Sequence, residues 1–420
     1  MATVAQQISY TDLYARWERG NWRATEIDFT EDRRQWWEVM TEFERKAALW
    51  NYALFFWGED AVADGLSPYI DAAPREEQKY FLATQQVDEA RHAVFFSRFM
   101  HEVCDVGDGT VAGGLEAIKP ELTWGFRMVF DRLVQMSDEL RRDPSLPRLS
   151  AAIALYHVVI EATLAQPGQH FITSYLHERG LLPGFREGMD RIAQDEQRHI
   201  AFGVKLLSDI AAGDAECTRA VTDLLREVLP WTASVLTPPG WDLRYTEVFG
   251  FKLEDIAKEG AESLETKMRS AGLPMEELPG PPIFAWGLPP ERRIRNGLRL
   301  VRGGVLGEKL GPPSSDPETV AALFDLLGAS LDHTKAPPEP GTIQWDFADA
   351  DPWHLVVANG DTHVEQGRAA QPTVTFQCRF EDWADVFAGR EHPLRLAARR
   401  RLRPSGDFRW LWRARGMFPR

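Results

Sequence analysis

Two short stretches of the chain repeat one pattern. Asp88-Glu89-Ala90-Arg91-His92-Ala93-Val94-Phe95 and Asp195-Glu196-Gln197-Arg198-His199-Ile200-Ala201-Phe202 share D-E-x-R-H-x-x-F, 107 residues apart. Each copy contains E-x-x-H. On a helix, residues three apart project about 60° from one another, so the carboxylate and the imidazole can reach one point, which is the geometry of a metal-binding pair. A lone E-x-x-H arises by chance on many solvated helix faces, but two copies in matching contexts are far more specific. A two-metal site in a helical bundle also needs a carboxylate from each of two more helices, about one hairpin upstream of each E-x-x-H. Glu59, in Leu54-Phe55-Phe56-Trp57-Gly58-Glu59, and Glu161, in His157-Val158-Val159-Ile160-Glu161, stand at those places. A carboxylate in such apolar surroundings is costly to bury alone. Four carboxylates would balance two divalent ions while both imidazoles stay neutral. The expected metal ligands, which are also the residues expected to carry catalysis, are therefore Glu59, Glu89, His92, Glu161, Glu196 and His199.

Around this set the same spacing suggests supporting groups. Asp88 and Asp195 each precede a ligand Glu and are expected to accept the distal N–H of a ligand His on the neighbouring helix, fixing its tautomer. Simple intrahelical ion pairs with Arg91 and Arg198 are the alternative. His157, four residues before Glu161, reads as an extra ligand, a substrate contact or a hydrogen-bonded core residue. Phe55, Phe56, Phe95, Phe96 and Phe202 lie within about a turn of ligand residues; the substrate pocket is expected from Phe55, Phe56, Phe96 and Phe202. Trp36-Trp37 reads as core packing, with an electron route to the metals as the alternative.

Elements long enough to hold such a site are predicted near 31–64, 74–105, 114–141, 147–178, 184–212, 216–231 and 251–271, where apolar residues recur at helical spacing and Gly and Pro are sparse. Ser67-Pro68, Asp143-Pro144, Gly180 and Pro183-Gly184 punctuate them. A proline cluster, Pro274, Pro279, Pro281, Pro282, Pro289 and Pro290, reads as a linker or arm. Beyond a short helix over Val320–Leu331, strands are predicted at Ile343–Phe347, Trp353–Ala358, Thr362–Arg368 and Thr373–Cys378, followed by helices near 380–388, 393–402 and 407–415. The layout is then a dimetal bundle over 1–272, a Pro/Gly-rich linker or arm over 273–314 and an α+β domain over 315–420.

The whole chain has 420 residues, 44% hydrophobic and 26% charged, in soluble globular proportions. Its net charge of −15 argues against nucleic acid as a partner. Cys104, Cys217 and Cys378 are too scattered for a disulfide framework or a thiolate zinc site. No stretch reads as a membrane span, Met1–Tyr10 lacks a leader pattern, and a reducing cytoplasm is the expected location. One segment runs against the acidic trend: Ala388–Arg420 holds ten Arg against Glu391 and Asp407. It reads as a surface for an anionic ligand, a membrane, or, most economically, the acidic bundle of the same chain.

Glu59, Glu89, His92, Glu161, Glu196 and His199 match residue for residue the ligand set of ferritin-like dimetal-carboxylate proteins. The D-E-x-R-H form and the helix lengths most resemble the ribonucleotide reductase small subunit and its ligand-binding oxidase relatives, over roughly residues 30–270. The resemblance implies two iron ions, with Mn/Fe as the alternative, and activation of O2. Two departures stand out. Reductase small subunits carry a radical-forming Tyr one turn after the first ligand His, where this chain has Phe96, and a relay Tyr in the tail, whereas the last tyrosine here is Tyr245. Nucleotide reduction is therefore not expected, and a stably stored tyrosyl radical is not either. An iron-storage role is disfavoured by the long C-terminal appendage.

Residues 315–420 resemble a sterol-carrier-protein type 2 domain, through Gln344-Trp345-Asp346-Phe347, the Thr373–Cys378 strand with the Phe380–Gly389 segment after it, and Arg403-Pro404-Ser405-Gly406-Asp407. That resemblance implies binding of a lipid or acyl chain; a purely structural or dimerising role is the alternative. The fold class expected is mainly α, a ferritin-like bundle with a small C-terminal α+β domain. The expected function is an O2-dependent dimetal oxidase or monooxygenase, in secondary metabolism, acting on an apolar or acyl-bearing small molecule, with an electron donor and a homodimer as partners. The alternatives are a noncatalytic hydrophobic-ligand-binding protein with a structural metal site and a manganese catalase.

Overall fold

The computed structural model describes residues 8–278, 288–358 and 361–418, so Pro279, Pro281 and Pro282 of the predicted linker lie outside the described residues. The chain divides into two compact units, Met1–Gly280 and Pro281–Arg420.

The first unit is helical: α1 (Tyr10–Arg19), α2 (Thr30–Glu38), α3 (Glu42–Gly65), α4 (Ser67–Ala72), α5 (Glu76–Glu102), α6 (Val111–Ile118), α7 (Trp124–Arg142), α8 (Leu146–Arg179), α9 (Pro183–Ala211), α10 (Ala215–Thr232), α11 (Arg244–Glu247) and α12 (Leu253–Ser270). The run expected at 31–64 is two helices. Thr41 ends the interruption by accepting the Glu44 N–H while the Glu44 carboxylate accepts the Thr41 N–H, a capping box that starts α3 afresh. At the start of α9, the buried Asp32 accepts the N–H groups of Gly184 and Phe185 at 2.8 and 2.7 Å, placing negative charge at the positive end of the helix.

The middle of α8, Ala154–Ala165, is π-helical and runs up to the Gln166-Pro167 step, where proline has no N–H to give to the ladder. By length and composition alone α8 could cross a membrane, but 78% of its most apolar window is buried inside the protein, as for the core helix of a bundle. It packs against α9, α10 and α12. Close approach of α9 to its neighbours depends on glycine: a Cβ at Gly203 would lie 2.1 Å from the Cβ of His157, and one at Gly188 would lie 2.1 Å from the Phe95 ring.

The second unit contains α13 (Pro290–Arg302), α14 (Pro317–Ser330), β1 (Gly341–Phe347), β2 (Trp353–Ala358), β3 (Asp361–Gln366), β4 (Val374–Cys378), α15 (Phe380–Phe387), α16 (Pro393–Ala398), β5 (Arg403–Gly406) and α17 (Phe408–Ala414). α13 falls within the stretch read as linker. Pro290 opens it, where a missing N–H costs nothing, and Leu298, Leu300 and Val301 are buried. The sheet order is β3-β2-β1-β4-β5. β1 pairs antiparallel with β2 (Trp345 opposite Trp353) and parallel with β4 (Ile343 opposite Val374). The buried Gln344 amide ties down the return from β3 to β4, accepting the Ala369 N–H at 2.8 Å and donating to the Trp353 carbonyl at 3.0 Å. The core is largely aromatic, with Phe324 stacked on Trp353 and Trp345 packed against Trp383.

Candidate metal centre

Four helices bring the six expected ligands together. Glu59 comes from α3, Glu89 and His92 from α5, Glu161 from the π-helical part of α8, and Glu196 and His199 from α9, all buried. Their donor atoms form two groups, Glu59, Glu89, His92 and Glu196 in one and Glu89, Glu161, Glu196 and His199 in the other, each within 4.8 Å. Glu89 and Glu196 belong to both, so these two carboxylates stand where they could bridge a pair of ions.

The imidazoles are oriented by the opposite helix. His92 Nε2 lies 3.1 Å from Asp195 on α9, and His199 Nε2 lies 3.1 Å from Asp88 on α5. A carboxylate accepting the Nε2 proton leaves Nδ1 as the inward-facing donor atom. Nδ1 of His92 is 3.1 Å from Glu59 and 3.4 Å from Glu89; that of His199 is 3.1 Å from Glu89 and 3.6 Å from Glu161. Asp88 and Asp195 also take the intrahelical arginines, Arg91 at 3.1 Å and Arg198 respectively, and Arg198 reaches across to Asp88 at 3.1 Å. Both sequence alternatives therefore coexist in one four-residue lattice. Two tryptophans complete it: Trp22 Nε1 donates to Asp195 at 2.8 Å and Trp17 Nε1 to Asp88 at 2.9 Å. Neither was anticipated. Trp36 is instead buried against Tyr52 and Phe99, and Trp37 is partly exposed and donates to the Val103 carbonyl.

Burial and neighbouring charges pull the site's carboxyl and imidazole groups away from their ordinary titration ranges. Burial, only partly opposed by His92, pushes the Glu59 carboxyl up to about 8. Burial likewise raises Glu161 and Glu196, with neighbouring carboxylates adding to it. Burial also disfavours the charged forms of Glu89, His92 and His199. There mutual attraction wins: the imidazoles hold Glu89 well below the usual carboxylate range, and the carboxylates hold both imidazoles above theirs. Groups perturbed in this way are the ones whose charge a pair of cations would balance. Glu161 Oε2, Glu196 Oε2 and His199 Nδ1 are buried without a well-directed hydrogen bond, the last despite its short distance to Glu89. This donor set, with its unsatisfied inward atoms and outward-tied imidazoles, fits a pair of divalent ions.

A hydrogen-bonded chain behind Glu161 was also not anticipated. The Gln85 amide donates to Glu161 and to the Tyr156 hydroxyl, both at 3.0 Å, and its carbonyl oxygen lies 3.1 Å from His157 Nε2. Tyr156 donates to Glu89 at 2.5 Å. His157 belongs to neither donor group and does not line the cavity; burial, with His199 nearby, holds its pKa down to about 3, so the neutral ring donates to Gln85. The sequence signal that could have found this chain is Gln85 itself, one turn before Glu89 and on its face.

An apolar cavity meets the carboxylates Glu59, Glu89, Glu161 and Glu196 and Tyr156. Leu54 and Phe55 of α3, Phe126 and Phe130 of α7 and Ile160 and Leu164 of α8 form much of its wall. Of the four expected pocket phenylalanines only Phe55 lines it. Phe56 is turned away by one residue of helix rotation towards Gly114, Phe96 stacks behind Phe55, and Phe202 packs on Phe81.

Residues 4–231, over half of the chain, match the family described as ribonucleotide reductase, small chain. The chain belongs to that family. Residues 334–418 match the SCP-2 sterol transfer family, and the second unit is a C-terminal domain of that type. Among solved structures, the helical unit is similar to a variant R2-like ligand-binding oxidase with an anaerobically reconstituted Mn/Fe cofactor (24% identity, TM-score 0.54, 64% of this chain and 94% of that one). It is also similar to the R2-like ligand-binding oxidase from Sulfolobus acidocaldarius (23% identity, TM-score 0.53, 64% and 93%). At these identities the structural likeness establishes the ferritin-like fold, into which the small-chain match places the helical unit.

Proposed function

We propose that the protein is an O2-dependent dimetal oxidase or monooxygenase acting on an apolar or acyl-bearing small molecule. The observation that carries this reading is the contact between the two overlapping ligand groups and the apolar cavity, through Glu59, Glu89, Glu161 and Glu196. Two irons, or one manganese and one iron as in a solved relative, would be held by Glu59, Glu89, His92, Glu161, Glu196 and His199. When bound, such a pair supplies reversible electron transfer to O2. The chain's own contribution is orientation and exclusion of water. Asp88 and Asp195 fix the imidazoles, Gln85 and Tyr156 hold two of the carboxylates, and the leucine and phenylalanine walls keep the cavity dry.

No Lys or Arg is among the described residues that line the cavity, which favours an apolar group at the reacting end over an anionic one. Insertion of one oxygen atom with reduction of the other to water would need two electrons from an external donor. Phe96, buried and lacking an O–H, supports an oxidase rather than a radical-storing reductase. The SCP-2-type unit supports a hydrophobic ligand, which it would hold near or deliver to the cavity.

The test is a single turnover. Reduced, iron-loaded protein is mixed with O2 in the presence of the hydrophobic compound that copurifies with it. Mass spectrometry should show that compound gaining oxygen or losing two hydrogens in step with O2 uptake. No O2 uptake, with the compound unchanged, would favour a noncatalytic binding role with a structural metal site, and gas evolution from peroxide would favour a catalase.

A further inference from the structure

The cavity at the metal centre has one polar feature besides its carboxylates and Tyr156. Among the described residues that line it, the single remaining polar side chain is Asn51; the others are apolar or glycine. Asn51 is 8% exposed. Its Nδ2 donates to the Ala47 carbonyl, one turn back, at 3.1 Å, which fixes the way the amide faces, and its Oδ1 receives no hydrogen bond from any described residue. An amide oxygen held among carbon walls costs free energy until a donor reaches it. Asparagine is also a poor choice for the interior of a helix, so neither the wall nor α3 gains from it. A lone polar group in an apolar pocket is what fixes the orientation of a ligand.

Asn51 stands at the end of the cavity away from the metal centre. On α3 the lining residues Asn51, Phe55, Glu59 and Val62 recur at helical spacing and share one face. Glu59 follows Asn51 by a little over two turns, about 12 Å along the helix. On α8 the lining runs from Glu161 to Gly168, about 10 Å. A Cβ at Gly168 would lie 3.2 Å from the Phe55 ring, and Phe55 is one turn from Asn51, so both walls lead from the carboxylates to the same end. Every acidic residue of the lining belongs to the donor groups, so a cation beside Asn51 would have no counter-ion in the cavity wall.

We propose that Asn51 is a specificity-determining residue, whose Oδ1 accepts a hydrogen bond from an uncharged N–H or O–H group that the substrate carries about 12 Å from its reacting end. The substrate class is then an apolar skeleton with one remote donor. A molecule of the same shape without that donor strands the amide oxygen, which is how a polar group in an apolar pocket rejects near-isosteres. This inference rests on the cavity's being the substrate site and so deepens the function proposed above.

Calorimetric titration of the metal-loaded full chain, kept free of O2, with N-decylacetamide and with N-decyl-N-methylacetamide tests it. The two probes share a chain and a carbonyl and differ in the N–H, so binding through the carbonyl is common to both. The native protein should hold the secondary amide about tenfold more tightly. Asn51→Leu and Asn51→Ala should each remove that preference, whereas Asn51→Asp, isosteric and still bearing an acceptor, should keep it. Binding elsewhere in the chain does not respond to residue 51, so the change on substitution is the quantity read. The same preference in the native chain and in the variants without an acceptor, no preference in the native chain, or no binding of either probe would overturn the assignment. Because O2 is absent, a failure of the oxidase reading leaves this result standing, and a failure here leaves O2 uptake unaffected.

Discussion

At the scale of single residues, the two bridging positions and the two terminal ones should behave differently. Glu89 and Glu196 face both donor groups, whereas Glu59 and Glu161 each face one. Elemental analysis of Glu89→Ala with Glu196→Ala should therefore find neither ion, while Glu59→Ala should keep about one per chain. Two ions in the double variant would disprove the ligand assignment. Gln85 supports a second prediction. Its amide meets Glu161, Tyr156 and His157 at once, so Gln85→Leu strands a buried imidazole N–H and removes a donor from two oxygens. Thermal unfolding of the metal-free protein should show a loss of about 1–3 kcal/mol. The six ligands were legible because coordination chemistry demands fixed residue types at fixed helical spacing. Gln85, Trp17 and Trp22 were not, since amides and indoles do many ordinary things in a sequence and only their neighbours across the bundle reveal these tasks.

At the scale of elements, most of the periodic helices and the strands β1 to β4 could be read to within a few residues because burial writes a regular pattern. What left no such mark was the π-helical turn of α8, whose residues Ala154–Ala165 are compositionally those of any buried helix. α1 escaped because it is short and mostly polar, although Ser9, whose Oγ accepts the Asp12 N–H, caps it. α13 escaped because the surrounding prolines suggested an arm. The fit of α9 against α8 yields a prediction: Gly203→Ala drives a methyl group into His157, and should cost about 1–3 kcal/mol in denaturant unfolding. Another concerns α14, which Asp316 caps by accepting the Thr319 N–H at 3.0 Å. Burial acts to raise the Asp316 pKa, but hydrogen bonds from Ser314 and Thr319 outweigh it and bring the carboxyl to about 2. Because the folded value lies below the unfolded one, the stabilisation is present above about pH 4 and is lost as the pH falls through about 2. The stability difference between the native chain and Asp316→Ala, about 1 kcal/mol near neutrality, should shrink over that window when unfolding is followed against pH.

At the scale of the molecule, the two units have separate hydrophobic cores and opposite electrostatics. The first carries 29 Lys and Arg against 46 Asp and Glu, the second 19 against 17. A chain ending at Leu278 should therefore fold, bind two ions and consume O2. The cut belongs there rather than near Pro312, because α13 is part of the second unit's compact body. Tethering holds a delivered ligand at an effective concentration of about millimolar, so the shortened chain should show a raised KM with kcat largely kept. Identical kinetics on the true substrate would refute a delivering role for residues 281–420.

The reciprocal ties across the bundle also set a schedule for the chain as it is made. His92 is steadied by Asp195, and His199 by Asp88, so neither half of the repeat can finish its own site. Asp195 leaves the ribosome 107 residues after Asp88, a wait of about 5–20 s at ordinary rates of synthesis. Throughout that interval Glu59, Asp88, Glu89 and His92 have only one another and the segments before α9 as partners, because Asp195, Glu196 and His199 are not yet made. The nascent first half must then be either loosely collapsed or sheltered, and metal can be captured only once the second E-x-x-H has emerged.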